Sequence, residues 1–175
     1  MPTIISHPAV LLAFHPGFRL PASIYVSGAI CSAIPDIDVI GFQFGINYGD
    51  LFGHRGFTHS VFFAALISSL LTIFIARALS EQKGRRYPIF PFLFLCTVSH
   101  GILDAFTDGG LGVAFFSPFS NARYFFPWRP LEVSPIGIRG FSSRALSVLG
   151  SEFVFIWLPC ALIFLIGCIF RKKAS

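Results

Sequence analysis

This sequence predicts an all-α fold: a polytopic membrane bundle of about four helical spans, with an interfacial loop region before the last. Two observations carry that expectation. The chain of 175 residues is 54% hydrophobic and only 12% charged, with 23 phenylalanines and a mean hydropathy of +0.75, whereas an ordinary soluble domain is roughly 25% charged. Its apolar residues also fall into four long runs, and a helix needs roughly 20 residues to cross a bilayer. The length therefore holds one compact bundle without a separate soluble domain, and residues 1–175 are expected to form a single membrane-embedded domain.

The elements follow in chain order. No Lys or Arg precedes Arg19, and His7 and Pro8 interrupt the first apolar run. The start does not read as a secretory signal, and insertion is expected to use a retained span. The first span runs from about Pro21 to Ile34 and continues in apolar residues to Ile46, with Pro35 expected to stop its helix. The second covers Phe57 to Ala78, with Thr58 as a candidate N-cap, and the third covers Ile89 to Phe106. From Thr107 to Ser147 the chain carries Gly109-Gly110, Pro118, Pro127, Pro130, Pro135 and several arginines, which suits a structured loop or interfacial hairpin. The last span, residues 148–170, is the clearest despite Glu152 and Pro159. No internal repeat or low-complexity tract is visible.

The formal net charge is +5, but the basic residues gather beside apolar segments, in Arg77 to Arg86 and Arg171-Lys172-Lys173. Such runs fix topology and do not make a nucleic-acid surface, so no nucleic-acid partner is expected. Two spans separate the runs, which places both on one side, the cytoplasmic one. Arg123, Arg129, Arg139 and Arg144 lie opposite, spread through a longer loop. Cys31, Cys96, Cys160 and Cys168 sit inside apolar stretches without thiolate-zinc spacing and read as small core residues.

Three short stretches concentrate the polar chemistry. Pro35-Asp36-Ile37-Asp38, His54-Arg55-Gly56-Phe57-Thr58-His59 and His100-Gly101-Ile102-Leu103-Asp104 hold three of the five histidines and three of the five aspartates. A carboxylate or imidazole among apolar neighbours loses its hydration at a cost of several kcal/mol unless it meets a counter-charge or a metal. On the predicted topology all six fall toward the same, outward face, as ligands converging on one metal centre would. His100 and Asp104 are four apart and project from one helix face; Asp108 adds another step of four. Asp36 and Asp38 follow the proline and can either turn toward a common point or cap a turn. His54 and His59 flank a glycine-containing turn. Arg55 between them is either a phosphate-binding guanidinium or an interfacial anchor. Ser60 lacks the glycine-flanked elbow of a nucleophile. His7 becomes an extra ligand if residues 1–20 cross or dip into the membrane from the outer side, while His15, beside Pro16-Gly17, reads as interfacial.

The early histidine, the Pro-Asp-Ile-Asp span end, the run Gly53-His54-Arg55-Gly56-Phe57-Thr58-His59-Ser60, and Ser99-His100 with Asp104, Thr107 and Gly109 together resemble the YdjM-type family of bacterial inner-membrane, metal-dependent hydrolases, some of them described as LexA-regulated. The resemblance covers about residues 5–135, and the His-Arg-Gly-x-Thr-His-Ser run is its specific part. That family is distantly similar to the all-helical zinc-dependent phospholipases C, which gather zinc with His and Asp, including a His-x-x-x-Asp pair on a helix. The resemblance implies that His100 and Asp104 form that pair, with Asp36, His54 and His59 as further ligands and Asp38 and His7 beside them. The long C-terminal ligand set of the soluble enzymes has no counterpart here, which leaves the number of ions open.

The expected function is a membrane-bound, metal-dependent hydrolase of the bacterial inner membrane, acting on a phosphoester of a lipid or another substrate at the outer face. The ion would acidify a water to serve as nucleophile. Asp38 or Asp108 would orient that water as base, and Arg55, with Arg123 or Arg129, would bind phosphate. Carboxylates and imidazoles without thiolate suit Zn²⁺ and admit Mn²⁺. A transporter or channel for metal or protons would instead place ionisable groups near the midplane of related halves. A structural membrane protein would pair the acids with arginines, Asp104 with Arg55 for instance.

Overall fold

The computed structural model describes residues 1–79, 87–134 and 141–173. The topology-setting Lys83, Arg85 and Arg86, and the loop residues Pro135 and Arg139, lie outside the described residues. Among the described residues every extended element is helical, and only two isolated bridges, Thr107 with Leu131 and Val113 with Tyr124, tie the long loop together.

The N-terminal segment, which carried no helical expectation, folds as α1 (Val10–Phe14) flanked by 3₁₀ turns at His7–Ala9 and His15–Gly17. Pro8 and Pro16 open those turns, positions where the missing N–H costs nothing. Helix α2 (Ala22–Ala33) meets Pro35 and does end there as an α-helix, but the chain does not turn away. It tightens into a 3₁₀ helix, Ile34–Phe44, that stops at Gly45 with φ 78. Together Ala22–Phe44 makes 23 residues, long and apolar enough to cross a membrane.

Helix α3 (Val61–Leu79) starts four residues later than its apolar run predicts, because residues 57–59 form a separate 3₁₀ turn. Its N-cap is Ser60 and not Thr58: the Ser60 hydroxyl accepts the Phe63 N–H at 3.0 Å, while the Thr58 hydroxyl donates elsewhere. Helix α4 (Ile89–Ala105) has 17 residues, about 25 Å of rise against a hydrocarbon core of about 30 Å. It is the central pillar, packed against both α2 and α3. The C-terminal helix begins earlier than expected, at Phe141 inside the predicted loop. Helix α5 (Phe141–Glu152), a π-helical turn (Phe153–Trp157) and α6 (Leu158–Lys173) follow one another without a break. Glu132 supports that early start, since its backbone N–H and carboxylate engage Ser151 and Ser147.

Two apolar cores hold these elements. Ile24, Cys31, Phe92, Leu93 and Cys96 fill the seam of α2 and α4; Ala9, Val10, Leu131, Ile156 and Cys160 fill the seam between the N-terminal segment and the C-terminal helix. Outside these seams the helices are greasy and open. Only 11% of the best apolar window of Val61–Leu79, and likewise of Arg144–Lys172, is buried. Faces carrying Leu66, Leu70, Ile73 and Phe74 on one helix and Leu162, Ile166 and Phe170 on the other are tolerable only in a non-aqueous solvent. Among the described residues three helices are long and apolar enough to span and one apolar helix is shorter, the pattern of a multi-pass membrane protein. The basic Arg171 and Arg19 meet at one end, and the polar motifs meet at the other.

Candidate metal centre

The 3₁₀ helix after Pro35 decides how the first motif is used. With three residues per turn, residues two apart diverge by about 120°, so Asp36 and Asp38 both point inward but at different partners. Ile37 between them is 60% exposed. The next motif sits in a tight loop that turns back through Phe57 N–H to Leu51 C=O and Gly56 N–H to Gly53 C=O. Arg55 in that loop holds φ 62, an uncommon conformation for a residue with a side chain. Its carbonyl accepts from Ala114, which anchors the loop to the segment after α4. His100 and Asp104 lie one turn apart near the end of α4. Gly101 between them lets the helix press against the loop, since a Cβ there would stand 2.7 Å from the His59 carbonyl oxygen.

Four ligand-type atoms converge from these three elements. His59 Nε2 lies 3.1 Å from His100 Nε2, 3.3 Å from Asp104 Oδ2 and 3.6 Å from Asp36 Oδ1. His100 Nε2 lies 3.2 Å from Asp36 Oδ1 and 4.0 Å from Asp104 Oδ2. All four atoms fall within 4.8 Å of one another, and all four residues are buried. Ligand atoms on a tetrahedral ion with bonds of about 2.0–2.1 Å stand about 3.3 Å apart, so the spacing matches a coordination shell.

The far nitrogens fix the tautomers. His100 Nδ1 is 2.7 Å from the Ser32 carbonyl, which has no proton to give, so Nδ1 carries the hydrogen and Nε2 presents its lone pair. His59 Nδ1 is 3.1 Å from Asp38 Oδ2 and is oriented in the same way. Two imidazole lone pairs therefore face each other at 3.1 Å, which is repulsive unless a proton or a metal ion lies between them. Asp36 Oδ2 and both Asp104 oxygens have no hydrogen-bond donor among the described residues although they are buried. Burial works to lower the His59 pKa, but the carboxylates of Asp104, Asp36 and Asp38 outweigh it and hold the ring well above the ordinary imidazole value. The pocket calls for positive charge.

Asp38 is the opposite case. Its Oδ1 meets His54 Nδ1 at 2.7 Å, and its Oδ2 accepts from Thr58 Oγ1 at 2.6 Å and Arg55 N–H at 3.2 Å besides meeting His59. Both of its oxygens are engaged in orienting these neighbours. His54 points Nδ1 at Asp38, its ring edged by Tyr48 and Phe42, and joins Asp38 and His59 in a second, smaller grouping.

Arg55 is fully buried and is no interfacial anchor. Its Nε lies 3.1 Å from Asp104 Oδ2, an ion-pair distance without hydrogen-bond alignment, so the candidate Arg55–Asp104 bridge forms. Its Nη1 donates to Gly109 C=O and its Nη2 to Thr107 Oγ1, both at 2.8 Å. Gly110, at φ 90, leaves room for it: a Cβ there would come within 2.9 Å of Nη1. Those terminal donors face protein, which argues against a phosphate clamp.

His7 reaches the cluster from the N-terminal segment. Its ring stacks flat on His100 at 3.7 Å, and Nε2 is 3.9 Å from Asp104 Oδ1. Burial first and the neighbouring His100 second push its pKa down to about 3, and neither ring nitrogen has a hydrogen-bond partner among the described residues.

The remaining sequence candidates lie elsewhere. Asp108 is exposed and accepts the Val133 N–H at 2.8 Å, outside the cluster, because α4 ends at Ala105 before the next helical step of four is completed. Arg123 clamps the carbonyls of His54 and Tyr48, and Arg129 lies over the Phe125 ring. His15 packs against Tyr25 and Phe164 at the basic end. Sequence reasoning missed Ser32, whose carbonyl sets the His100 tautomer, and Thr58 as a donor to Asp38. No local signal could have found the first; the second sat inside the motif, where its neighbour Ser60 takes the cap.

The profile of the family described as YdjM inner membrane protein matches residues 5–174, through the C-terminal helix that carries no motif of its own. The inner membrane protein YbcI of Escherichia coli (strain K12) is 39% identical over 163 residues, covering 91% of this chain and 92% of that protein. The uncharacterized protein YvsG of Bacillus subtilis (strain 168) is 36% identical over 110 residues, 59% of this chain and 62% of its own. No solved structure gives a significant match.

Proposed function

Because this chain belongs to the YdjM inner membrane protein family and buries a donor set shaped for a cation, we propose that it is a metal-dependent hydrolase acting on a phosphoester of a lipid-type substrate. The observation that carries the reading is the pair of Nε2 lone pairs held face to face by Ser32 and Asp38. His59, His100, Asp36 and Asp104 would hold the ion, with His7 closing one side. Zinc suits this oxygen and nitrogen set, and manganese is compatible with it. A bound divalent ion supplies Lewis-acid chemistry, polarising a phosphoryl oxygen and acidifying water.

The chain's own residues divide the rest of the work. Asp38 keeps the His59 and His54 rings in place. Arg55 balances the Asp104 charge. Asp36 Oδ2, buried and without a donor among the described residues, is the oxygen left to take a proton from water. We read the short α4 as the fourth span, the whole chain as one membrane-embedded domain with lipid as its surroundings, and the cluster as facing outward, opposite the basic end.

Elemental analysis of detergent-purified protein tests this. Near-stoichiometric zinc or manganese in the wild type, lost in His100→Ala and Asp104→Ala, is the expected result and warrants a screen of phospholipid phosphoesters. A folded wild type that takes up neither metal after reconstitution leaves the structural reading, which the Arg55–Asp104 pair favours.

A further inference from the structure

Glu152 is a carboxyl group that the cluster does not use. It is fully buried within Arg144–Lys172, a stretch long and apolar enough to cross a membrane. Ionisable residues within such spans are costly and tend to mark function. Its Oε1 accepts the Thr3 N–H at 2.5 Å, and its Oε2 accepts the hydroxyls of Thr3 and Ser6, each at 2.6 Å. The Ser6 oxygen in turn accepts the Trp157 indole N–H at 2.9 Å. Glu152 and Trp157 are five residues apart. The π-helical turn Phe153–Trp157, with its i→i+5 bonding, brings them to one face where both reach Ser6.

The residue after Ser6 is His7. Among the described residues its ring has no hydrogen bond of its own, only the flat contact with His100 and the approach to Asp104. Beyond it, Ala9 and Val10 are held by the apolar core against Ile156 and Cys160. Besides the Ser134 N–H, which holds the Met1 carbonyl at 2.9 Å, the polar anchor for the stretch that delivers His7 is the carboxyl group of Glu152. An apolar side chain at position 152 would leave Thr3 and Ser6 without their acceptor.

We infer that Glu152 is a positioning residue: by pinning Thr3 and Ser6 it keeps the His7 ring seated against His100 and Asp104. The inference rests on reading the cluster as a metal centre. Two readouts on the full-length protein separate the two ideas, amide hydrogen exchange of residues 3–9 in metal-free protein and zinc affinity by chelator competition. Glu152→Leu should raise exchange in residues 3–9 by about tenfold or more while α4 stays protected. It should also weaken zinc binding about tenfold, as loss of an outer-shell partner does. Glu152→Gln should retain part of both properties. In a His7→Ala background, Glu152→Leu should add nothing to the loss of affinity.

Unchanged exchange in a folded Glu152→Leu protein overturns the inference, as does an affinity loss that is equally large in the His7→Ala background. If Glu152→Leu does not fold, Thr3→Val with Ser6→Ala removes two of the three bonds from the other side and must show the same pattern. A wild type that binds no metal removes the hydrolase reading, and the exchange readout still decides whether the clamp exists.

Discussion

Asp36 and Asp38 stand two residues apart in one motif, and their surroundings have opposite needs. Asp38 is saturated by His54, Arg55 N–H, Thr58 and His59, whereas Asp36 keeps a buried oxygen without a donor and turns the other toward two imidazole nitrogens. A saturated carboxylate is a support. A buried carboxylate short of donors is incomplete, and the incomplete side also contains Asp104 and both facing Nε2 atoms. Spacing in sequence does not separate these roles; a count of donors around each oxygen does.

Substitutions can break that contrast, and the largest effect is expected at Asp104. Asp104→Ala should abolish metal uptake and also lower stability by about 3–5 kcal/mol, because Arg55 is left as a buried charge without its partner. Elemental analysis together with thermal unfolding in detergent reads both effects, and a stability unchanged from wild type would mean that Arg55 finds another counter-charge. Asp36→Ala should likewise empty the site but cost less stability, since its partner His59 keeps Asp104 and Asp38 as counter-charges. If Asp36→Ala protein kept a full complement of zinc, the assignment of the incomplete side would be wrong.

Asp38→Ala sharpens the contrast. It should keep one ion per chain at saturation while weakening affinity about 10–100-fold, the usual effect of losing an orienting carboxylate. Chelator competition measures this, and a complete loss of stoichiometry would move Asp38 among the direct ligands. His54→Ala, one step further out, should weaken binding less than Asp38→Ala does. The smallest effect is expected at Asp108, where alanine removes the acceptor for the Val133 N–H and should leave metal content and affinity as in the wild type.

Much of this was legible in the residues. The greasy runs located the helices because desolvation leaves an apolar chain few alternatives in a membrane, and the three His/Asp stretches did converge. What escaped depended on contacts far apart in the chain. Pro35 announced the end of an α-helix, but whether the chain then turned or tightened was settled by partners in the loop after Gly53 and on α4. The helical segment around Val10 lacks the length to announce itself and exists because Ile156 and Cys160 cover it. Glu152 looked like a blemish in the best span, since the residues that satisfy it lie 146 and 149 positions away. Thr58 and Ser60 are both plausible caps by type, and only the position of Asp38 divides their duties.

The depth of the cluster also sets a clock. His59, His100 and Asp104 are each 3% exposed or less, and His7 lies across His100 like a shutter. An ion seated there could exchange with its surroundings only when residues 1–9 or the loop before α3 lifted away, local openings that run from microseconds to seconds. Residence time would then be a property of the wall more than of the number of bonds. A loosened wall should speed loading and loss together, and show itself in kinetics before it shows in affinity.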